Sequence, residues 1–199
     1  MTTILQLNNS VFGDNGQSSQ LADRYVSKRR EADAGINLVR RDLAAEPVTH
    51  LTGTRFKAAL TDPGERSSEQ ADAAAIADTL IAEIQEADEV VIAAPTYNFN
   101  VASTLKAWFD HVARAGTTFK YTEKGPVGLL ANKKATVFIT SGGQYADTPA
   151  DFQAPYVEHF LKFLGIEDVR IVRAEGLAMG DDAANAAIES AHQAIDDLA

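Results

Sequence analysis

Apolar positions along this chain follow two patterns that alternate from end to end. Short apolar runs at residues 4–7, 36–39, 89–94, 135–140 and 169–172 read as five strands. Between them, apolar residues recur at helical spacing. Leu21, Ala22 and Tyr25 form one stripe, Ile76, Leu80 and Ile84 a second, and Leu105, Trp108, Phe109 and Val112 a third. Ser103 or Thr104 is expected to cap the third of these helices, and Trp108 to belong to the core. Further helices are read around 156–164 and in the alanine-rich C-terminal segment. The run Glu89-Val90-Val91-Ile92-Ala93-Ala94 does not alternate, as in a strand covered on both faces, and Pro95 has no N–H to give a ladder, so pairing should stop there. Parallel strands need crossovers, and the crossovers cover both faces of the sheet. The alternation therefore predicts a doubly wound three-layer α/β/α fold with a five-stranded parallel sheet, one domain spanning residues 1–199.

Two segments interrupt this rhythm. Residues 40–67 form a long excursion carrying Pro47, Gly53, Pro63 and Gly64 around a helical patch at 56–60, and excursions of that length seldom lack function. Gly125-Pro126 reads as a turn.

Composition narrows the classes. Of 199 residues, 45% are apolar, enough for a substantial core, and no run approaches the roughly 18 apolar residues of a membrane helix. The start lacks the basic and long apolar regions of a secretion signal, so a cytoplasmic protein is expected. With no cysteine, disulfides, thiolate metal sites and thiol nucleophiles are excluded. The formal charge of −10 argues against nucleic acid and anionic membranes as partners. His50, His111, His159 and His192 are scattered, without metal-ligand spacing.

The candidate chemistry lies where strands end. In open α/β sheets ligands bind beyond the carboxyl ends of the strands, at the point where strand order reverses. With the order 2-1-3-4-5, the loops at 9–19, 95–100 and 140–145 share that edge. The first presents Asn9, Ser10, Gly16, Gln17, Ser18 and Ser19 ahead of a helix, a set of amide and hydroxyl donors suited to a phosphate, although serines there are equally ordinary caps. It has neither Gly-x-Gly-x-x-Gly nor a phosphate-loop lysine, so a small monophosphate suits it better than a dinucleotide. The loops around Tyr97 to Phe99 and at Gly142-Gly143 would flank a planar ring, since glycine permits close backbone approach. FMN meets both requirements. Asn98 is the best candidate for a polar contact at the ring edge.

On Asn9-Ser10 with Gln17-Ser18, on Pro95-Thr96-Tyr97-Asn98-Phe99-Asn100, on residues 113–123 (ARAGTTFKYTE) and on Thr140-Ser141-Gly142-Gly143, the chain resembles the FMN-dependent NADH-azoreductase family over nearly its whole length. The resemblance implies a flavodoxin-like fold and flavin contacts from Ser10, Gly16, Gln17, Ser18, Thr96, Tyr97, Asn98, Phe99, Thr140, Ser141, Gly142 and Gly143. It implies an oxidoreductase in which NADH or NADPH passes hydride to flavin N5 and leaves, and a quinone or azo compound then takes the electrons on the same face. No separate catalytic acid or base and no metal is needed. A homodimer is implied, with Tyr121 and Phe163 shaping pockets between subunits. Thr96 stands where that family commonly has methionine, and Ser141 where it commonly has arginine. A flavodoxin-like single-electron carrier is the alternative; the excursion at 42–67 and the segment 119–128 argue against so simple a function. A hydrolase lacks its Gly-x-Ser-x-Gly elbow.

Overall fold

The computed structural model describes residues 1–199. Its strands are β1 (Thr3–Asn8), β2 (Asn37–Asp42), β3 (Glu89–Pro95), β4 (Phe119–Thr122), β5 (Gly125–Gly128), β6 (Lys134–Thr140) and β7 (Asp168–Ala174), and its helices α1 (Gln17–Ala32), α2 (Gly53–Leu60), α3 (Ser68–Glu86), α4 (Ser103–Val112), α5 (Gln153–Phe163) and α6 (Asp181–Leu198). The main sheet runs β2-β1-β3-β6-β7 with every neighbouring pair parallel, which is the expected 2-1-3-4-5 order once the β4–β5 hairpin is set aside.

The non-alternating run in β3 is explained by its central place. All seven residues are buried, and successive side chains go to opposite faces. Val91 and Ala93 join Leu21, Tyr25 and Phe138 beneath α1 and α6. Val90, Ile92 and Ala94 join Leu80, Leu105 and Trp108 beneath α3, α4 and α5. The edge strand β2 is half-exposed throughout, which is why its sequence carries Asn37, Arg40 and Arg41.

One charge is buried at the base of β3. Glu89 accepts hydrogen bonds from the Tyr25 hydroxyl at 2.6 Å, Arg29 Nη1 at 2.5 Å and the Thr136 hydroxyl at 3.2 Å, so its desolvation is offset by three donors.

Three local expectations change. Neither Ser103 nor Thr104 caps α4: the helix already includes Ser103, its N-cap is Ala102, and the Thr104 hydroxyl is buried without a partner. The paired backbone bonds between Tyr97 and Asn100 close the preceding turn and bring the chain into the helix one residue early. Gly125-Pro126 is no turn but the start of β5, where Pro126 faces Tyr121 across a two-stranded ribbon that has no third strand to need its N–H. The fifth helix begins three residues before its sequence stripe, at Gln153. The long excursion folds α2 against α3, with the Thr52 hydroxyl capping one and a Ser67–Gln70 capping box opening the other. No helix is long and apolar enough to cross a membrane.

Candidate flavin site

The carboxyl ends of β1, β3, β6 and β7 lie along one edge; Pro95 is in register with Thr140, and Thr140 with Ala174. The loop after β1 turns through residues 13–15 and enters α1 at Gly16, which has no side chain to cap the helix. The first-turn N–H groups are thus left for something outside the helix. The Ser18 and Ser19 hydroxyls beneath them are buried with no partner. A Cβ on Gly16 would overlap the Ser10 side chain, so the approach of these two residues is possible only with glycine.

The loop after β3 makes a tight two-residue turn. Tyr97 and Asn100 exchange backbone hydrogen bonds of 2.9 and 3.1 Å, and the residues between them, Asn98 and Phe99, take φ values of 50° and 67°. Two positive values in succession are the mark of a type I′ turn, where asparagine is at ease and phenylalanine is strained. The turn leaves the N–H groups of Asn98 and Phe99 without partners in the chain. It is held from three sides. Val11 N–H donates to the Tyr97 hydroxyl at 3.1 Å, the Phe99 ring packs edge-on to Tyr145 at 5.5 Å, and the Thr96 hydroxyl donates to Gln153. Gln153 in turn donates to the Ala94 carbonyl at 2.9 Å.

The loop after β6 is clipped to the loop after β7: Leu177 N–H reaches the Ser141 carbonyl at 3.0 Å and Ala178 N–H the Gly142 carbonyl at 3.0 Å. The Ser141 hydroxyl closes on the Gly143 carbonyl at 2.7 Å. Gly142 and Gly143 N–H groups are unengaged. Neither glycine has a positive φ; a Cβ at Gly142 would press on Ala178 at 3.2 Å and one at Gly143 on the end of the Tyr145 side chain at 3.0 Å, so a side chain at either position makes its neighbour shift.

Ser10, Gly16, Gln17, Thr96, Tyr97, Thr140, Ser141 and Gly142, all expected at the flavin, line one open cleft of about 180 Å³. Ser18 is buried just behind it. Asn98 faces an adjoining hollow of about 720 Å³ on the far side of Tyr97, and it is exposed, so an Asn98 contact can be a buried one only with a ligand in place. Phe99 and Gly143 meet at Tyr145. Tyr121 and Phe163 do not come to this cleft. Both pack on Phe119, with ring centroids at 5.4 and 4.5 Å, and Tyr121 is 75% exposed. Tyr121 is kept away by α4, which carries the chain about 15 Å from the strand ends before the hairpin begins, and Phe163 by its place at the last residue of α5. Sequence reasoning missed Phe12 and Leu177, which line the cleft, and Gln153 and Tyr145, which brace it. Leu177 had a signal, because it follows β7 at the same sheet edge; Gln153 had none.

The lining contains no carboxylate, lysine, arginine or histidine. What the cleft offers is neutral donors, a helix start and apolar walls, so the chain's part is to bind, orient and polarise rather than to transfer a proton itself. A family model described as the flavodoxin-like fold, Flavodoxin_2, matches residues 2–199. The chain belongs to that family.

Its similarity to particular flavodoxin-like proteins runs the full length. The FMN-dependent NADH:quinone oxidoreductase of Alteromonas mediterranea is 48% identical over 198 residues, covering 100% of this chain and 98% of that one. The protein of the same name from Cellvibrio japonicus is 48% identical over 90% of each chain. Among solved structures, an azoreductase from Bacillus anthracis strain Sterne superposes with a TM-score of 0.91 at 27% identity, covering 100% of this chain and 98% of that chain. The FMN-dependent NADH-azoreductase from Bacillus anthracis strain Ames Ancestor, solved in complex with FMN, superposes with a TM-score of 0.87 at 27% identity and full coverage of both chains. The flavodoxin-like sheet order thus places the uncapped α1 start and the Tyr97 turn on either side of the β1–β3 switch point.

Proposed function

We propose that this chain is an FMN-dependent NADH:quinone oxidoreductase that also reduces azo compounds. The observation that carries this reading is the neutral strand-end cleft, in which an uncapped helix start with a buried, unpartnered Ser18 hydroxyl faces two loops whose N–H groups are free. The residues present fit FMN. Ser10, Gly16, Gln17 and Ser18 would hold its phosphate at the positive end of α1. Thr96, Tyr97, Asn98 and Phe99 on one side, and Thr140, Ser141, Gly142 and Gly143 on the other, would hold its ring. When bound, FMN accepts a hydride equivalent from NADH or NADPH and returns two electrons to an acceptor.

The chain's own contribution is electrostatic and geometric. Free N–H groups at Asn98, Phe99, Gly142 and Gly143 would stabilise the negative charge of the reduced ring without any protein group changing its protonation. The Tyr97 turn, braced by Gln153 and Val11, would keep those donors aimed. Because one open face serves both reactants, the nicotinamide must leave before the quinone or azo acceptor enters, a two-step exchange. The exposed Tyr121 and the neighbouring Phe163 cannot reach this cleft within one chain, and a homodimer in which each subunit completes the other's pocket gives them a place. A cytoplasmic location is part of the same proposal.

Purified protein is expected to be yellow with about one FMN per chain, identified by mass spectrometry, and to oxidise NADH with parallel-line kinetics against quinone. Light scattering across a dilution series should report a dimer. Protein that neither carries nor takes up FMN would sink the proposal; flavoprotein that passes electrons only singly, to protein partners, would leave the carrier reading in its place.

A further inference from the structure

The two loops that would hold the flavin ring come from adjacent strands, yet hydrogen bonds tie them to each other only at their base. Thr96 N–H donates to the Thr140 carbonyl at 2.8 Å, and beyond that pair no hydrogen bond joins residues 97–100 to residues 141–143. One side chain spans the gap. The Tyr145 ring meets Phe99 edge-on with centroids 5.5 Å apart, and its far end stands so near Gly143 that a Cβ there would come to 3.0 Å from Cζ and from the hydroxyl oxygen alike. Phe99 is the strained member of its turn, at φ 67°, and it is 51% exposed, so Tyr145 supplies much of what restrains its ring.

The backbone that carries Tyr145 is anchored from a third loop. The N–H groups of Tyr145 and Ala146 both donate to one carboxylate oxygen of Glu175, just past the end of β7, at 3.1 and 2.9 Å. The other Glu175 oxygen accepts from Arg173 Nη1 at 3.0 Å, and Arg173 Nη2 donates to Asp151 at 2.7 Å. The Glu175 and Asp151 side chains are only 10% and 14% exposed, so these charge-assisted bonds are largely shielded from water. Thr148 closes the segment, giving both its N–H and its hydroxyl to the Tyr145 carbonyl at 3.1 and 2.8 Å. None of Tyr145, Asp151, Arg173 and Glu175 lines the cleft itself.

We propose that Tyr145 is a positioning residue for the flavin reaction: wedged between Phe99 and Gly143, and held there by the chain of Glu175, Arg173 and Asp151, it fixes the spacing of the two sets of N–H donors that face the ring. The proposal rests on the flavin reading. Its consequence is selective. Donors at Asn98, Phe99, Gly142 and Gly143 interact more strongly with a ring that has gained negative charge, so loosening them costs reduced flavin more than oxidised flavin. The aromatic ring makes the contact to Phe99, and Cζ approaches Gly143 as closely as the hydroxyl does, so the hydroxyl is dispensable.

The test measures the flavin midpoint potential and the dissociation constants of oxidised and reduced FMN on the full chain. Tyr145→Ala should loosen reduced FMN about tenfold more than oxidised FMN, which lowers the potential of a two-electron couple by about 30 mV. Tyr145→Phe should keep the parent's potential. Glu175→Ala leaves Tyr145 present but unanchored and should lower the potential likewise, and the double variant with Tyr145→Ala should go no lower than Tyr145→Ala alone, because both changes act through one contact. If Glu175→Ala fails to fold, the two Tyr145 variants decide. A parent-like potential in Tyr145→Ala, a potential in Tyr145→Phe as low as in Tyr145→Ala, or additive effects in the double variant each overturns the proposal. Parent protein that takes up no FMN overturns the flavin reading and this role with it; parent protein that binds FMN while its variants keep the same potential overturns this role alone.

Discussion

Asn98 illustrates how one side chain can carry two costs. It sits at φ 50°, a conformation asparagine tolerates better than alanine, and it offers an amide to the proposed ring edge. Asn98→Ala removes the amide and strains the backbone; Asn98→Gly removes the amide alone. Both are expected to weaken FMN or slow its reduction, by roughly 1–3 kcal/mol if a partner is left unsatisfied, while Asn98→Gly keeps the parent's melting temperature. Stopped-flow reduction by NADH with parallel thermal unfolding separates the two, and turnover equal to the parent's in both would remove Asn98 from the site. Gly16→Ala and Gly142→Val act by collision instead, with Ser10 and Ala178 respectively. Gly16→Ala should cost FMN affinity far more than stability, since the loop it distorts carries little core. Gly142→Val should disturb the clip to residues 176–178 as well, so flavin loss and a lower melting temperature are expected together.

At the scale of elements, the Tyr97 turn is an over-determined piece of backbone. A phenylalanine at φ 67° is costly, by about 1–3 kcal/mol, and persists because β3, the Tyr97–Asn100 bonds and the α5 start hold the turn in place. Gln153 is the brace between α5 and β3, and it is 3% exposed. Gln153→Leu leaves the Ala94 carbonyl and the Thr96 hydroxyl without their partner, and about 1–3 kcal/mol of stability should be lost. The sharper expectation is on the flavin: its dissociation constant and midpoint potential should both move, although Gln153 does not line the cleft. An unchanged potential at reduced stability would assign Gln153 to the core alone. Thr96 supplies the hydroxyl that Gln153 receives, so the departure from the methionine common at this position in the NADH-azoreductase family has a structural partner.

For the whole molecule, pH sensitivity comes from two networks on opposite sides of the sheet, a half-exposed one at Asp78 and a buried one at Tyr25. Burial works to raise the Asp78 pKa, but the bonds from Arg66 and Arg114 outweigh it and hold the carboxyl below its ordinary 3.8. A depressed folded value means that this stabilisation is complete above 3.8 and is lost as pH falls through the lower, folded value. Asp78→Asn should accordingly flatten the acid limb of the stability curve. Tyr25 behaves in the other direction. Burial, reinforced by the Glu89 bond, raises its pKa above 10.0, so its contribution is present below 10.0 and lost as pH climbs past it toward the folded value. Tyr25→Phe is expected to flatten the alkaline limb while costing about 1–3 kcal/mol at neutral pH, because Glu89 loses its 2.6 Å donor. Urea unfolding at acid, neutral and alkaline pH measures both limbs; a Tyr25→Phe curve parallel to the parent's would refute the linkage.

The order of strands and helices, and the edge on which a ligand would sit, were determined by sequence alone, because run length, helical spacing and strand-end position are local signals that a parallel sheet must obey. Eight of the proposed flavin residues could be named that way, since their place follows from strand ends: they line the one cleft at Ser10, Gly16, Gln17, Thr96, Tyr97, Thr140, Ser141 and Gly142. Tertiary structure decided what depends on partners distant in the chain. Gln153 reaches Ala94 across 59 positions and Tyr97 reaches Val11 across 86, contacts for which no spacing rule exists. The same holds for the separation of Tyr121 and Phe163 from the cleft, because α4 carries the chain away from the strand ends before the hairpin begins and Phe163 closes the far end of α5.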